Sequence, residues 1–268
     1  MTPVVIAALV CAALALWLGR RRQKRRRHIA LLATRLSDRD RRMLRRAVPL
    51  LARLPADLHP ALEGKIALFR DQVTFHGCDG LTVTDEMELT IAAQACLLIV
   101  NSPLWYTTLR TVLIYPGAFR SMLAEDDGYV VREEEVVRDG ESWPHGPVIL
   151  SWEAVRDSGD GVNVVLHEFA HQLDALSGDV DGVPLLGPGQ SFEAWEQVVL
   201  DAFARHQDRA GRPLPTVLDT YGAESHEEFL AVAIESFFER PRQLRGVEPA
   251  LYAELTKLLR LDPATWPD

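Results

Sequence analysis

Val162-Asn163-Val164-Val165-Leu166-His167-Glu168-Phe169-Ala170-His171 is the stretch on which the reading of this 268-residue chain turns. At 3.6 residues per turn, His167 and His171 stand one turn apart on one helix face, so both imidazoles can reach a single metal ion. Glu168 is turned about 100° away, outside the ligand set but near a water that such an ion would hold. The bland alternative is a surface helix with two solvated histidines. Val164, Val165, Leu166, Phe169, Ala170 and Leu173 argue against it, since they make the segment apolar nearly all round and a buried helix seldom keeps polar groups unpaired.

A zinc ion of the catalytic kind takes three protein ligands and leaves a fourth position to water. In the compact motif H-E-x-x-H-x-x-G-x-x-H the third ligand follows at once, but here Asp174 stands at the glycine position and Ser177 at the last histidine. The other common arrangement is a glutamate on a second helix. His226-Glu227-Glu228-Phe229-Leu230-Ala231-Val232-Ala233-Ile234-Glu235-Ser236-Phe237-Phe238 is the good candidate downstream. Glu228, Ala231 and Glu235 share a face, whereas Glu224 and Glu227 lie nearer the helix start, where the helix dipole is reason enough for an acid. Glu228 is the expected third ligand. Glu235, an acid in a run of hydrophobic residues, is expected to bond a ligand histidine from behind; the alternative is an exposed helix edge.

Further segments carry a family resemblance. Phe75-His76-Gly77-Cys78-Asp79-Gly80-Leu81 with Thr84-Asp85-Glu86-Met87, Ile91-Ala92-Ala93-Gln94-Ala95-Cys96, Ile114-Tyr115-Pro116, Gly146 to Trp152, His167 to Asp174, and Tyr221-Gly222-Ala223 ahead of Glu228 resemble the Mlc titration factor A family of zinc-dependent peptidases. The likeness covers roughly residues 38 to 262. It implies a gluzincin-type, zincin-like domain with aminopeptidase-like activity and, in one branch, the sequestering of a glucose-responsive transcriptional repressor. It also implies Glu228 as the ligand glutamate. A more distant likeness is to the catalytic domain of anthrax lethal factor, where a tyrosine seven residues ahead of the ligand glutamate faces the metal; Tyr221 stands in that place here.

Those residues suffice for peptide hydrolysis. Zinc lowers the pKa of bound water to roughly 7, and Glu168 takes the proton and hands it to the leaving amine. Tyr221, a hydrogen-bond donor at neutral pH, could stabilise the oxyanion, or be an ordinary turn tyrosine before a glycine. Asp174 could accept the N–H of a ligand imidazole; a plain acid at the helix end is the alternative.

The N-terminus gives a second signal. Val4 to Leu18 is almost wholly apolar, and Arg20-Arg21-Arg22-Gln23-Lys24-Arg25-Arg26-Arg27 follows directly. A secretory signal would put its charge first. The order here predicts one transmembrane helix, short but helped by snorkelling arginines, with the N-terminus outside and the catalytic domain on the cytoplasmic side of the inner membrane. Basic residues this dense also suit nucleic acid, but their place beside an apolar run favours anionic lipid. Residues 1–27 are then an anchor and residues 28–268 the catalytic domain. That domain keeps 22 basic residues against 38 acidic ones, about −16, which disfavours nucleic acid and suits basic peptides or a basic protein partner. Cys11, Cys78 and Cys96 form no disulfide framework and favour a reducing compartment; Cys96 reads as core.

The spacing predicts helices over 30–54, 60–70, 84–100, 161–176, 191–208, 226–238 and 248–260, and strands at Val112–Tyr115, Val130–Val131 and Val148–Ser151. Residues 177–190 form a loop beside the cleft, residues 209–215 a linker, and residues 146–152 the strand on which an extended peptide would pair. The fold class is α+β, mainly helical with a small sheet. Two functions fit: a zinc peptidase, or a binding protein that sequesters a regulator and whose metal site is vestigial. An intact base beside an open metal position favours the first.

Overall fold

The computed structural model describes residues 3–126, 131–144, 146–212 and 216–267, with side chains described from residue 11 onward except at 122–135. In chain order the elements are α1 (Pro3–Leu32), α2 (Asp38–Ala47), α3 (His59–Gln72), β1 (Thr74–Gly77), α4 (Asp85–Leu98), β2 (Thr111–Tyr115), β3 (Phe119–Asp126), β4 (Val131–Arg138), β5 (Gly140–Ser142), β6 (Val148–Ser151), α5 (Trp152–Arg156), α6 (Val164–Asp174), α7 (Phe192–Ala210), α8 (His226–Glu239), α9 (Pro241–Val247) and α10 (Pro249–Leu259). The fold is α+β and mainly helical with a small sheet, as the sequence predicts.

The main sheet runs β1-β2-β6-β5; β1, β2 and β6 are parallel, while β5 turns back antiparallel on β6 and forms one edge. A separate hairpin pairs β3 with β4. Residues 146–152 are therefore not the strand on which a peptide could pair, because β6 is held on both sides, by β2 and by β5. The edges belong to β1 and β5, and β5 is the one that lines the cleft.

Helix α6 packs against α8, α4, β5 and β6, and buries Val165, Leu166, Phe169 and Leu173 in the core. Fully buried Phe169 lies 5.7 Å from Phe69 and 5.3 Å from Tyr106, ring centre to ring centre. Truncating such a phenylalanine to alanine costs about 3–5 kcal/mol, so this packing holds α6 firmly in the core. Cys96 is in the core as expected.

Several sequence expectations need correction. The helix expected over 30–54 is interrupted: Ser37 caps α2 by accepting the Asp40 N–H, and Pro49, without an N–H of its own, starts a 3-10 turn. Strands β1, β3 and β5 were not legible, and the expected start at Val130 lies outside the described residues, as do positions 213–215 of the expected linker.

The expected transmembrane helix is not supported. The apolar run from Val4 continues without a break into the arginines as one helix, α1, and among the described residues no helix is long and apolar enough to cross a membrane. About 15 apolar residues give roughly 22 Å of helix, against a hydrocarbon core of about 30 Å. The boundary expected between residues 27 and 28 falls inside α1, whose far end rests on α3: Arg27 pairs with Asp71, and the backbone of Leu32 lies so close to Gly64 that any side chain there would collide with it.

Candidate metal centre

Asn163 sets the start of α6. Its side-chain oxygen accepts the Leu166 N–H at 3.1 Å, while its amide nitrogen donates to Gln94 Oε1 at 2.7 Å and Glu239 Oε1 at 2.9 Å. One asparagine thus caps the metal-bearing helix and ties it to both α4 and α8. Its place before the apolar run is a visible capping signal; its two cross-links are not.

On this helix His167 and His171 face α8, where Glu228 meets both. Glu228 Oε2 lies 2.9 Å from His167 Nε2 and 3.6 Å from His171 Nε2, and the three ligand atoms all fall within 4.8 Å of one another. Among the described residues no other group of histidine, cysteine and acid side chains converges in this way. Two imidazoles and a carboxylate, three donors in all, suit zinc with a position left over. Glu227, the rejected neighbour, lies outside this group and lines the cleft instead.

Glu235 bonds His167 on the side away from Glu228. Its Oε1 sits 2.8 Å from His167 Nδ1, which turns Nε2 toward Glu228. Burial by itself would lower the His167 pKa, but the bonds to Glu228 and Glu235 and the charge of Glu168 outweigh it and lift it to about 10. Without an ion the imidazole therefore holds a proton where the metal would go. Burial also works to raise Glu228, yet its two histidine partners hold the carboxyl well below the usual carboxylate range.

Glu168 is buried beside the ligands, and burial pushes its carboxyl up to about 7 against the pull of His167 and His171. A carboxyl poised near neutrality can both take and return a proton. Space for it comes from Gly140 at the start of β5: a methyl group there would overlap the Glu168 carboxylate and Val164. The edge strand therefore passes directly over the Glu168 carboxylate.

Tyr221 lies in a 3-10 turn whose start is held by Asp219, which accepts the Tyr221 N–H at 2.9 Å. Its ring centre is 5.9 Å from that of His167 and the residue is 40% exposed. Burial, then Glu228, raise its pKa above the ordinary phenol value, so the hydroxyl stays a donor throughout the neutral range.

Of the two readings of Asp174, the acid at the helix end is the one the contacts match. Its Oδ2 accepts the Gly182 N–H at 2.7 Å and its Oδ1 is buried with no partner, so it holds the 177–190 loop and not an imidazole. One turn past His171 was too coarse a guide, because the loop folds back over that face. The loop does border the cleft, through Val180.

His167, Glu168, His171, Tyr221 and Glu228 line a single cleft of about 1110 Å³, with β5 along one wall. The residues not foreseen from sequence are Gly140, Asn163 and Arg138, the last of which also lines it. A site of this make can hold a metal ion, keep a neutral-range base beside it and admit an extended peptide.

Comparison with known proteins agrees. The model of the glucose-regulated metallopeptidase family M90 matches residues 20–260. An uncharacterized protein of Synechocystis sp. is 41% identical over 225 residues, 81% of either chain. The Mlc titration factor A of Klebsiella pneumoniae subsp. pneumoniae is 35% identical over 225 residues, 81% of this chain and 84% of its own, and that of Pectobacterium atrosepticum 34% over 227 residues with the same coverage. With a family model across most of its length and relatives at this identity, the chain belongs to the M90 metallopeptidases, the family of the Mlc titration factor A proteins.

Proposed function

We propose that this protein is a zinc-dependent peptidase in which His167, His171 and Glu228 hold the ion, Glu168 is the general base and Tyr221 an oxyanion donor. The observation that carries the reading is the convergence of three ligand atoms within 4.8 Å at a cleft that also holds a buried carboxyl with pKa about 7. A zinc ion there supplies Lewis acidity toward water and the scissile carbonyl. Glu168 accepts a proton from the attacking water and delivers it to the leaving nitrogen. The Tyr221 hydroxyl donates to the oxygen of the attacked carbonyl as it gains charge. The free edge of β5 offers backbone groups to an extended substrate and aligns the scissile bond with Glu168.

An aminopeptidase-like preference follows from the walls. Glu153, Asp157, Glu224 and Glu227 give the cleft an acidic lining that favours an α-ammonium group or a basic side chain. Cys11, Cys78 and Cys96, all unpaired, suit a reducing compartment. The test is metal analysis of the purified full chain together with hydrolysis of aminoacyl and peptide reporters, in wild-type and Glu168→Gln forms. Expected are about one zinc per chain in both and a loss of hydrolysis of 10²-fold or more in the variant; full activity in the variant would remove Glu168 as the base.

A second reading rests on the relatives' name. The Klebsiella and Pectobacterium proteins are Mlc titration factors, and this chain would then bind and sequester a transcriptional repressor, with hydrolysis secondary. Equal repressor binding by wild-type and Glu168→Gln protein, with no hydrolysis by either, would favour it.

A further inference from the structure

The cleft is acidic, yet one guanidinium stands in it. Among the described residues that line it, Arg138 is the one lysine or arginine. It ends β4, and Gly140 opens β5 against Glu168, so the segment that carries the guanidinium also passes over the base. Its field reaches Tyr221: burial raises that phenol, and Arg138 works in the opposite direction.

Arg138 is also short of partners. Its Nε is shielded from solvent and bonds nothing, and no carboxylate among the described residues pairs with it. Other arginines of this acidic chain find acids: Arg41 pairs with Glu63, Arg70 with Asp85 and Glu88, and Arg205 with Glu248. With Nε shielded from solvent, the outer nitrogens of the guanidinium are the donors that can meet an acceptor arriving with a ligand.

A planar guanidinium fork matches a carboxylate with two parallel hydrogen bonds. In an otherwise acidic cleft it is the natural harbour for the negative end of a substrate whose positive end the acids hold. Resting on the peptidase reading above, we propose that Arg138 is a specificity-determining residue that binds the free α-carboxylate of a short peptide. The protein then acts on small peptides with both termini free, the product class of upstream endoproteolysis, in preference to internal segments of long chains.

Titration of the zinc-loaded full chain, in the Glu168→Gln background that prevents turnover, with Ala-Lys-Ala as free acid and as C-terminal amide tests this. The free acid should bind about tenfold tighter or more, equivalent to 1.4 kcal/mol. Arg138→Gln should bring the acid down to the level of the amide and leave the amide unchanged, while Arg138→Lys should keep part of the difference. Equal binding of acid and amide to the parent protein overturns the proposal whether or not the variants fold, and so does failure of both to bind at millimolar concentration. A preference that survives Arg138→Gln would hand the carboxylate to the zinc ion. Hydrolysis by the protein with native Glu168 is scored separately, so discrimination without turnover would sink the peptidase reading, and with it the action on short peptides, and keep Arg138 as the carboxylate-binding residue.

Discussion

Glu235 joins the metal-facing imidazole to the start of its own helix: one oxygen lies 2.8 Å from His167 Nδ1 and the other accepts the backbone N–H of Asn163. The carboxylate fixes the ring angle, and it does so from α8, the helix that also carries Glu228. Replacing it should therefore loosen the ion without removing a ligand. Glu235→Ala is expected to weaken zinc binding about 10- to 100-fold in competition with a chelator. Unchanged affinity would mean that packing alone holds the ring.

Acid should release the metal. His167 has its pKa raised to about 10, so between pH 6 and 9 the metal-free site holds a proton that the ion must displace. Binding then liberates that proton, and apparent affinity rises about tenfold for each pH unit gained. Chelator competition between pH 6.5 and 8.5 measures the slope; a flat line would show that the proton is elsewhere.

Gly140 is a close-approach glycine and not a conformational one. Because a methyl group there would collide with the Glu168 carboxylate, Gly140→Ala should lower kcat about tenfold or more while zinc content holds. Gly246 in α9 has open space around its Cβ position, and Gly246→Ala should be neutral or slightly stabilising. Similar losses in both variants would remove the special role of Gly140.

Tyr221→Phe deletes one oxygen at the mouth of the site. If that hydroxyl donates to the oxyanion, kcat falls by roughly 10²-fold while KM and zinc content barely move. An active phenylalanine variant would make Tyr221 a wall residue of the cleft.

The helices bearing His167, Glu168, His171 and Glu228 were legible because a helix encodes its faces in residue spacing, and long apolar runs mark α4, α6 and α8. β1 and β5 were not, since three or four half-exposed residues leave no alternation to read. For Asp174 and Glu235 the spacing left two readings open; Asp174 holds Gly182 and Glu235 meets His167. Asp174 sits where a loop returns to claim it, whereas Glu235 faces a packed helix.

Spacing along one helix placed His167 and His171 on a common face and singled out Glu228 ahead of Glu227, while pattern and composition carried the α+β class and the acidity of the chain. The folded chain adds that β5 and not β6 is an edge strand, that Gly140 makes room for Glu168, that Asn163 links three helices, that the end of α1 rests on α3 and that Arg138 enters the cleft unpaired. Each of these joins residues far apart along the chain. Such meetings are set by the summed packing of the whole core, and no local period records them.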